Sequence, residues 1–105
     1  MKRFRLAPDA AHGVRGIWNY IAKDSIRAAR KVRLQIFDAC QNLAKNPRLG
    51  HTREDLTAAS VLFWPVGAYL VIYRGDRKPI EIVAVTHGSL GIPEVLRRRG
   101  ILFTF

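Results

Sequence analysis

Few side chains in this chain have the types and spacing that covalent or metal chemistry requires. The single cysteine, Cys40, falls on the apolar stripe of a predicted helix and reads as a small core residue. With no second cysteine there is no intramolecular disulfide. His12, His51 and His87 lack the spacing of a metal-ligand set. His87 and Ser89 stand close together, but nucleophilic chemistry also needs an orienting acid and an oxyanion hole, which two neighbours at a strand end do not supply. Gly88, Gly91 and Gly100 are not followed by the lysine and helix of a phosphate loop. The residues therefore offer no catalytic set, no metal site and no cofactor site.

What they do offer is charge for gripping another macromolecule. Lys and Arg number 18 against 8 Asp and Glu, a formal net charge of +10 on 105 residues. A compact domain so charged repels itself and is expected to meet an anionic partner. Arg27 and Arg30, with Lys31 and Arg33, load the first half of one predicted helix. Arg53 follows Gly50 in a connector and reads either as a surface ion pair with Glu54 or Asp55 or as an arginine that pins the connector against the sheet or reaches into a partner. Arg74 closes a predicted strand, and Arg97, Arg98 and Arg99 precede an apolar end, Ile101 to Phe105. Tyr69 and His87 are aromatic groups at strand ends. These nine residues (Arg27, Arg30, Arg53, Tyr69, Arg74, His87, Arg97, Arg98 and Arg99) are the candidate partner contacts. Phe63, Trp64, Tyr69 and Tyr73 read mainly as sheet core, although any on an uncovered face could stack nucleobases.

The elements that carry these groups follow from periodicity. Phe4 and Leu6 alternate with Arg3 and Arg5, as in a half-buried strand. Pro8 can open a helix at its first position, and Asp9 suits the positive end of the helix dipole. Val14, Ile17, Trp18 and Ile21 make that helix's apolar stripe, which Gly13 and Gly16 weaken. Ser25 is placed to cap a second helix, with Ala29, Val32, Ile36, Cys40 and Leu43 as its buried stripe. Asn46-Pro47 stops it. The short link at Lys23-Asp24 implies an antiparallel helix hairpin. Three strand-like runs follow a polar connector: Val61 to Val66, Tyr69 to Arg74 and Ile80 to His87. Gly67-Ala68 and Gly75 to Pro79 separate them as hairpin loops, and Pro65 belongs at a strand end or on an edge. Glu94 to Arg99 could form a helical turn or two. The result is an α+β, two-layer fold: an N-terminal strand, a helix hairpin packed on a small, mainly antiparallel sheet, and a short C-terminal helix or tail.

Size fits one domain over residues 1–105. The basic start, Met1 to Leu6, is not followed by an apolar run of signal-peptide length, and no run reaches the ~20 residues of a membrane span. The cytoplasm is the expected compartment.

Along nearly its whole length the chain resembles the ParE branch of the RelE/ParE toxins. The resemblance is carried by Phe4-Arg5-Leu6 with Pro8 and Ala10, by Ile17 to Ile21, and by Ala28-Ala29-Arg30. It continues through Leu43 to Pro47 with Gly50, Arg53 and Leu56, then Val66 to Arg74, and Ile80 to Val83 with Val85, His87 and Gly88. The resemblance implies the toxin of a type II toxin–antitoxin module, whose ParD-like antitoxin folds a flexible, often acidic segment onto it. ParE-like members are associated with DNA gyrase; RelE-like members cleave mRNA on the ribosome with lysines, arginines and a tyrosine. Aligned on the Gly-Tyr strand, the RelE-type strand arginine falls at Leu70. Its second arginine falls near Leu90, its tyrosine near Leu96, and its lysines within Ser60 to Pro65, which has none. Leucine can neither hold a phosphate nor pass a proton. The expectation is a non-enzymatic gyrase inhibitor, with the RelE-type endonuclease or a degenerate, non-toxic antitoxin-binding module as alternatives. The chain also departs from many ParE-like sequences, since Ser89-Leu90-Gly91 stands where an arginine and an aspartate often follow the His-Gly pair. The antitoxin is the expected regular partner, gyrase a possible target, and direct nucleic-acid binding a lesser expectation; no membrane partner is implied.

Overall fold

The computed structural model describes residues 3–52 and 61–88. The elements run β1 (Phe4–Leu6), α1 (Pro8–Ala22), α2 (Ile26–Lys45), β2 (Leu62–Val66), β3 (Tyr69–Arg74) and β4 (Ile80–His87). Pro8 opens α1 with Asp9 in its first turn. Ser25 caps α2 by accepting a hydrogen bond from the Ala28 amide at 3.1 Å, which satisfies one of the amides orphaned at a helix start. The two helices are joined by only three residues and fold back on one another.

The four strands form one mixed sheet in the order β1-β4-β3-β2. β2, β3 and β4 form an antiparallel meander, whereas β1 lies parallel to β4, Phe4 opposite Ile80. A register shift between Ile72 and Tyr73 leaves Val83 unpaired in β4, with Ala84 opposite Ile72 and Ile82 opposite Tyr73. Such a bulge resets the in–out alternation, so Ile82 and Val85 both face the helices although they are three positions apart.

The helix hairpin covers one face of the sheet. Val14, Ile36, Cys40 and Leu43 pack there with Val71, Tyr73, Ile82 and Val85. The stripe expected of α2 is buried at Ala29, Ile36, Cys40 and Leu43, with Val32 half-buried; of the α1 stripe only Val14 is buried, while Ile17, Trp18 and Ile21 are half-buried. The α1 stripe approaches the sheet closely at Gly13, where a Cβ would sit on the carbonyl oxygen of Val85. The glycine that weakens α1 as a helix is thus the one that lets it lie against the β4 backbone.

The other sheet face is apolar and buried as well. Phe63, Leu70, Ile72 and Ala84 form a second buried cluster there with Val61. Tyr73 is fully buried on the helix side, and Trp64 and Tyr69 are half-buried and lie on the helix side too. Among the described residues no aromatic platform for stacking nucleobases exists on that face, because packing has claimed the aromatic side chains. The predicted C-terminal helix or tail, Glu94 to Phe105, lies outside the described residues. No helix among the described residues is long and apolar enough to cross a membrane.

Candidate partner-binding groove

Where α1, α2 and β1 meet, the helices leave a groove of about 320 Å³. Its floor is apolar, built from Leu6, Val14, Trp18 and Phe37, and its rim carries Arg15 and Arg33. Helical spacing explains the arrangement. Val14 and Trp18 are four apart on α1, Arg33 and Phe37 four apart on α2, and the hairpin sets the two pairs against each other. The guanidinium carbon of Arg33 lies 5.8 Å from the Trp18 ring centroid and 5.7 Å from that of Phe37. Cation–π attraction to two rings holds the charge at the groove while leaving it exposed. Phe37 is steadied in turn by Phe4, with ring centroids 6.1 Å apart.

Further along α2, Ile26, Arg30 and Leu34 succeed one another at four-residue intervals and therefore form one line. Ile26 and Leu34 are 59% and 58% exposed, which makes this an apolar and basic stripe open to solvent. Arg27 and Arg30 both stand on it, exposed.

The remaining expected contacts do not converge with these. Tyr69 and His87 pair edge to face at 5.6 Å, at the end of the sheet by the β2–β3 turn. Arg74 ends β3 five residues beyond Tyr69, which places it roughly 17 Å along the strand. Arg53, Arg97, Arg98 and Arg99 lie outside the described residues, as do Ser89 to Gly91. The structure thus separates a helix surface holding Arg27 and Arg30 from a sheet end holding Tyr69 and His87, with Arg74 at the far end of the strand.

Sequence reasoning placed Trp18 on a helix stripe and missed the part that it and Phe37 play in the groove. The available signal was an arginine four residues before an aromatic, which puts a cation over a ring on one helix face. It also missed a latch. The Tyr73 hydroxyl donates to the Pro47 carbonyl at 2.7 Å and accepts from the Gly50 amide at 2.8 Å. Burial raises the Tyr73 pKa above its ordinary 10.0, so the hydroxyl stays protonated and able to donate. The latch fixes the segment after α2 against the sheet, and His51 continues it by exchanging backbone hydrogen bonds of 2.8 Å with Phe63. Cys40 is fully buried, and desolvation pushes its thiol up to about 12, which makes it a core group rather than a nucleophile.

Comparison with known proteins gives this arrangement a relation. Among solved structures, the chain is similar to one described as the chromosomal ParDE TA system from P. aeruginosa, with a TM-score of 0.68 and 18% identity, covering 83% of this chain and 96% of that one. At that identity the likeness speaks for the fold. No curated protein matches the chain. The family described as the ParE toxin of the type II toxin-antitoxin system parDE matches residues 4–90, and the chain belongs to that ParE toxin family.

Proposed function

We propose that this protein is the toxin of a toxin–antitoxin pair, held inactive by a ParD-like antitoxin, and that its free form inhibits DNA gyrase by binding rather than cleaving mRNA. The observation that carries the non-catalytic part is Leu70. The position corresponding to the RelE-type strand arginine is a leucine, buried in an apolar layer with Phe63, Ile72 and Ala84. A phosphate brought there would meet hydrocarbon, with no charge to stabilise a pentacovalent transition state.

The antitoxin part draws on the groove and the α2 stripe. A flexible acidic segment that folds on binding needs apolar anchors for affinity and charges for encounter and register. The groove floor of Trp18 and Phe37 supplies the first, and Arg15, Arg33, Arg27 and Arg30 supply the second. The gyrase part comes from family likeness.

The deciding experiment is a supercoiling assay with purified gyrase, run beside an mRNA-cleavage assay in a translating extract. The expected result is loss of supercoiling with trapped cleaved DNA, relieved by the antitoxin, and intact mRNA. Unchanged supercoiling at excess protein would sink the gyrase reading, and codon-specific mRNA cuts would replace it with the endonuclease. Normal growth on expression without the antitoxin would fit only the degenerate module.

A further inference from the structure

A second charged feature lies away from the groove, around the C-terminal end of α2. A cavity of about 290 Å³ there is lined by Arg3, Lys45, Arg77 and Lys78. A neighbouring one of about 480 Å³ shares Lys45 and Pro47 with it and adds Arg48. Neither shares a lining residue with the apolar groove. Among the described residues, no carboxylate lines either cavity. Arg77 meets one carboxylate, that of Glu81, at 3.3 Å on an exposed surface.

The five cations come from three separate segments: Arg3 before β1, Lys45 and Arg48 at the end of α2, and Arg77 and Lys78 in the β3–β4 loop. Helix polarity accounts for Lys45, since a cation is favoured at a helix C-terminus. It does not account for Arg3, Arg77 or Lys78, which tertiary folding alone brings to the same place. Gathering like charges around two adjoining hollows raises the energy of the fold unless an anion relieves it. The hollows are also held in shape. Pro47, which lines both cavities, is the residue whose carbonyl the Tyr73 hydroxyl fixes.

We infer that this end of the molecule is a docking site for the phosphate backbone of a nucleic acid. Its lining favours that ligand over an acidic polypeptide. A folding peptide takes most of its affinity from large, chiefly aromatic, apolar anchors, and here the apolar lining is Ala44, Pro47, Pro79, a buried Ile80 and a partly exposed Leu49, with no aromatic ring. Phosphate contacts require only positioned cations, and they gain free energy by releasing counterions. The contact proposed is with the backbone, which carries no sequence information of its own. It is independent of the antitoxin and gyrase readings: a protein that failed the supercoiling assay could still bind here.

The test uses the full purified chain and a fluorescent 20-base-pair duplex of mixed sequence, followed by anisotropy from 50 to 200 mM salt. Single-stranded DNA of the same sequence and polyglutamate serve as comparison ligands. Duplex binding with a log–log salt slope of roughly −4 is expected if most of the five cations engage phosphates. Lys45→Ala/Lys78→Ala should weaken binding about tenfold and flatten the slope by about 2, whereas the charge-matched Lys23→Ala/Lys31→Ala, at exposed positions elsewhere, should change little. Glu81→Gln, which frees Arg77, should tighten binding about two- to threefold, a gain that misfolding cannot imitate. Single-stranded DNA binding comparably, with the same variant pattern, also supports a backbone site and shows that a duplex is not required. Equal losses in the two double variants would reduce the binding to net charge and overturn the site. Preference for polyglutamate over both nucleic acids would overturn it in favour of an acidic protein.

Discussion

The Tyr73 hydroxyl satisfies a carbonyl and an amide at once, both from a turn that carries no regular structure of its own. Tyr73→Phe keeps the ring and strands both groups. The expected loss is about 2 to 3 kcal/mol in urea unfolding, at the upper end of what buried unsatisfied groups cost. A second residue-scale expectation concerns alkali. The Cys40 thiol is pushed from 9.0 up to about 12 in the fold. Because the folded value exceeds the unfolded one, the folded state holds its proton longer. The contribution is complete below pH 9 and is lost as pH rises toward 12, and Tyr73 acts in the same direction above its ordinary 10.0. Urea midpoints should therefore fall from pH 8.5 to 11, and fall less steeply in Cys40→Ala than in the parent. The latch was not legible in the sequence, since a strand tyrosine gives no sign of which distant backbone groups its hydroxyl will meet. Cys40 was legible, because its place on a helical stripe settled its burial.

Among the elements, α1 sets helix propensity against packing. Gly13 and Gly16 cost the isolated helix about the same, roughly 1 kcal/mol each relative to alanine. Their surroundings separate them: Gly13 faces the Val85 carbonyl, while nothing lies within 4 Å of a Cβ at Gly16. Gly16→Ala should stabilise by roughly 0.5 to 1 kcal/mol, and Gly13→Ala should destabilise by about 2 kcal/mol or more as helix and sheet are forced apart. Thermal melts of the two variants should shift in opposite directions. The helices and the three later strands were readable, because apolar spacing of 3.6 and 2 and the stops at Asn46-Pro47 and Gly67-Ala68 are local signals. Burial of both sheet faces was not. The pattern of Phe63, Leu70 and Ile72 records that they are apolar and leaves open which side covers them. The Val83 bulge hid too, since Ile80 to Val85 is nearly all apolar and shows no break in alternation.

At the scale of the whole molecule, charge is divided among surfaces of different composition. The helix groove joins arginines to aromatic rings, and the α2 end sets cations among prolines and aliphatic side chains, with no aromatic ring in its lining. If the groove holds the antitoxin, Arg33→Glu should weaken the complex at least tenfold by calorimetry, since it both removes a cation and repels an acidic segment. Trp18→Ala should weaken it with less change in salt dependence, because what it removes is apolar area. Composition alone announced an anionic partner and could not divide the basic residues between surfaces. Arg33 and Arg30 are three apart in sequence, yet one lies over two rings and the other stands on an open stripe.

The parallel pairing of β1 with β4 also bears on how the protein is made. Phe4 leaves the ribosome early and finds its partner only when Ile80 has followed. Until then the helix hairpin has no completed sheet to cover, and Ile36, Cys40 and Leu43 remain open to whatever is near. Assembly therefore waits until β4 has been made, and the unpaired surface is open to sticking until then. A messenger truncated before codon 80 would yield helices without a fold, and so no working protein.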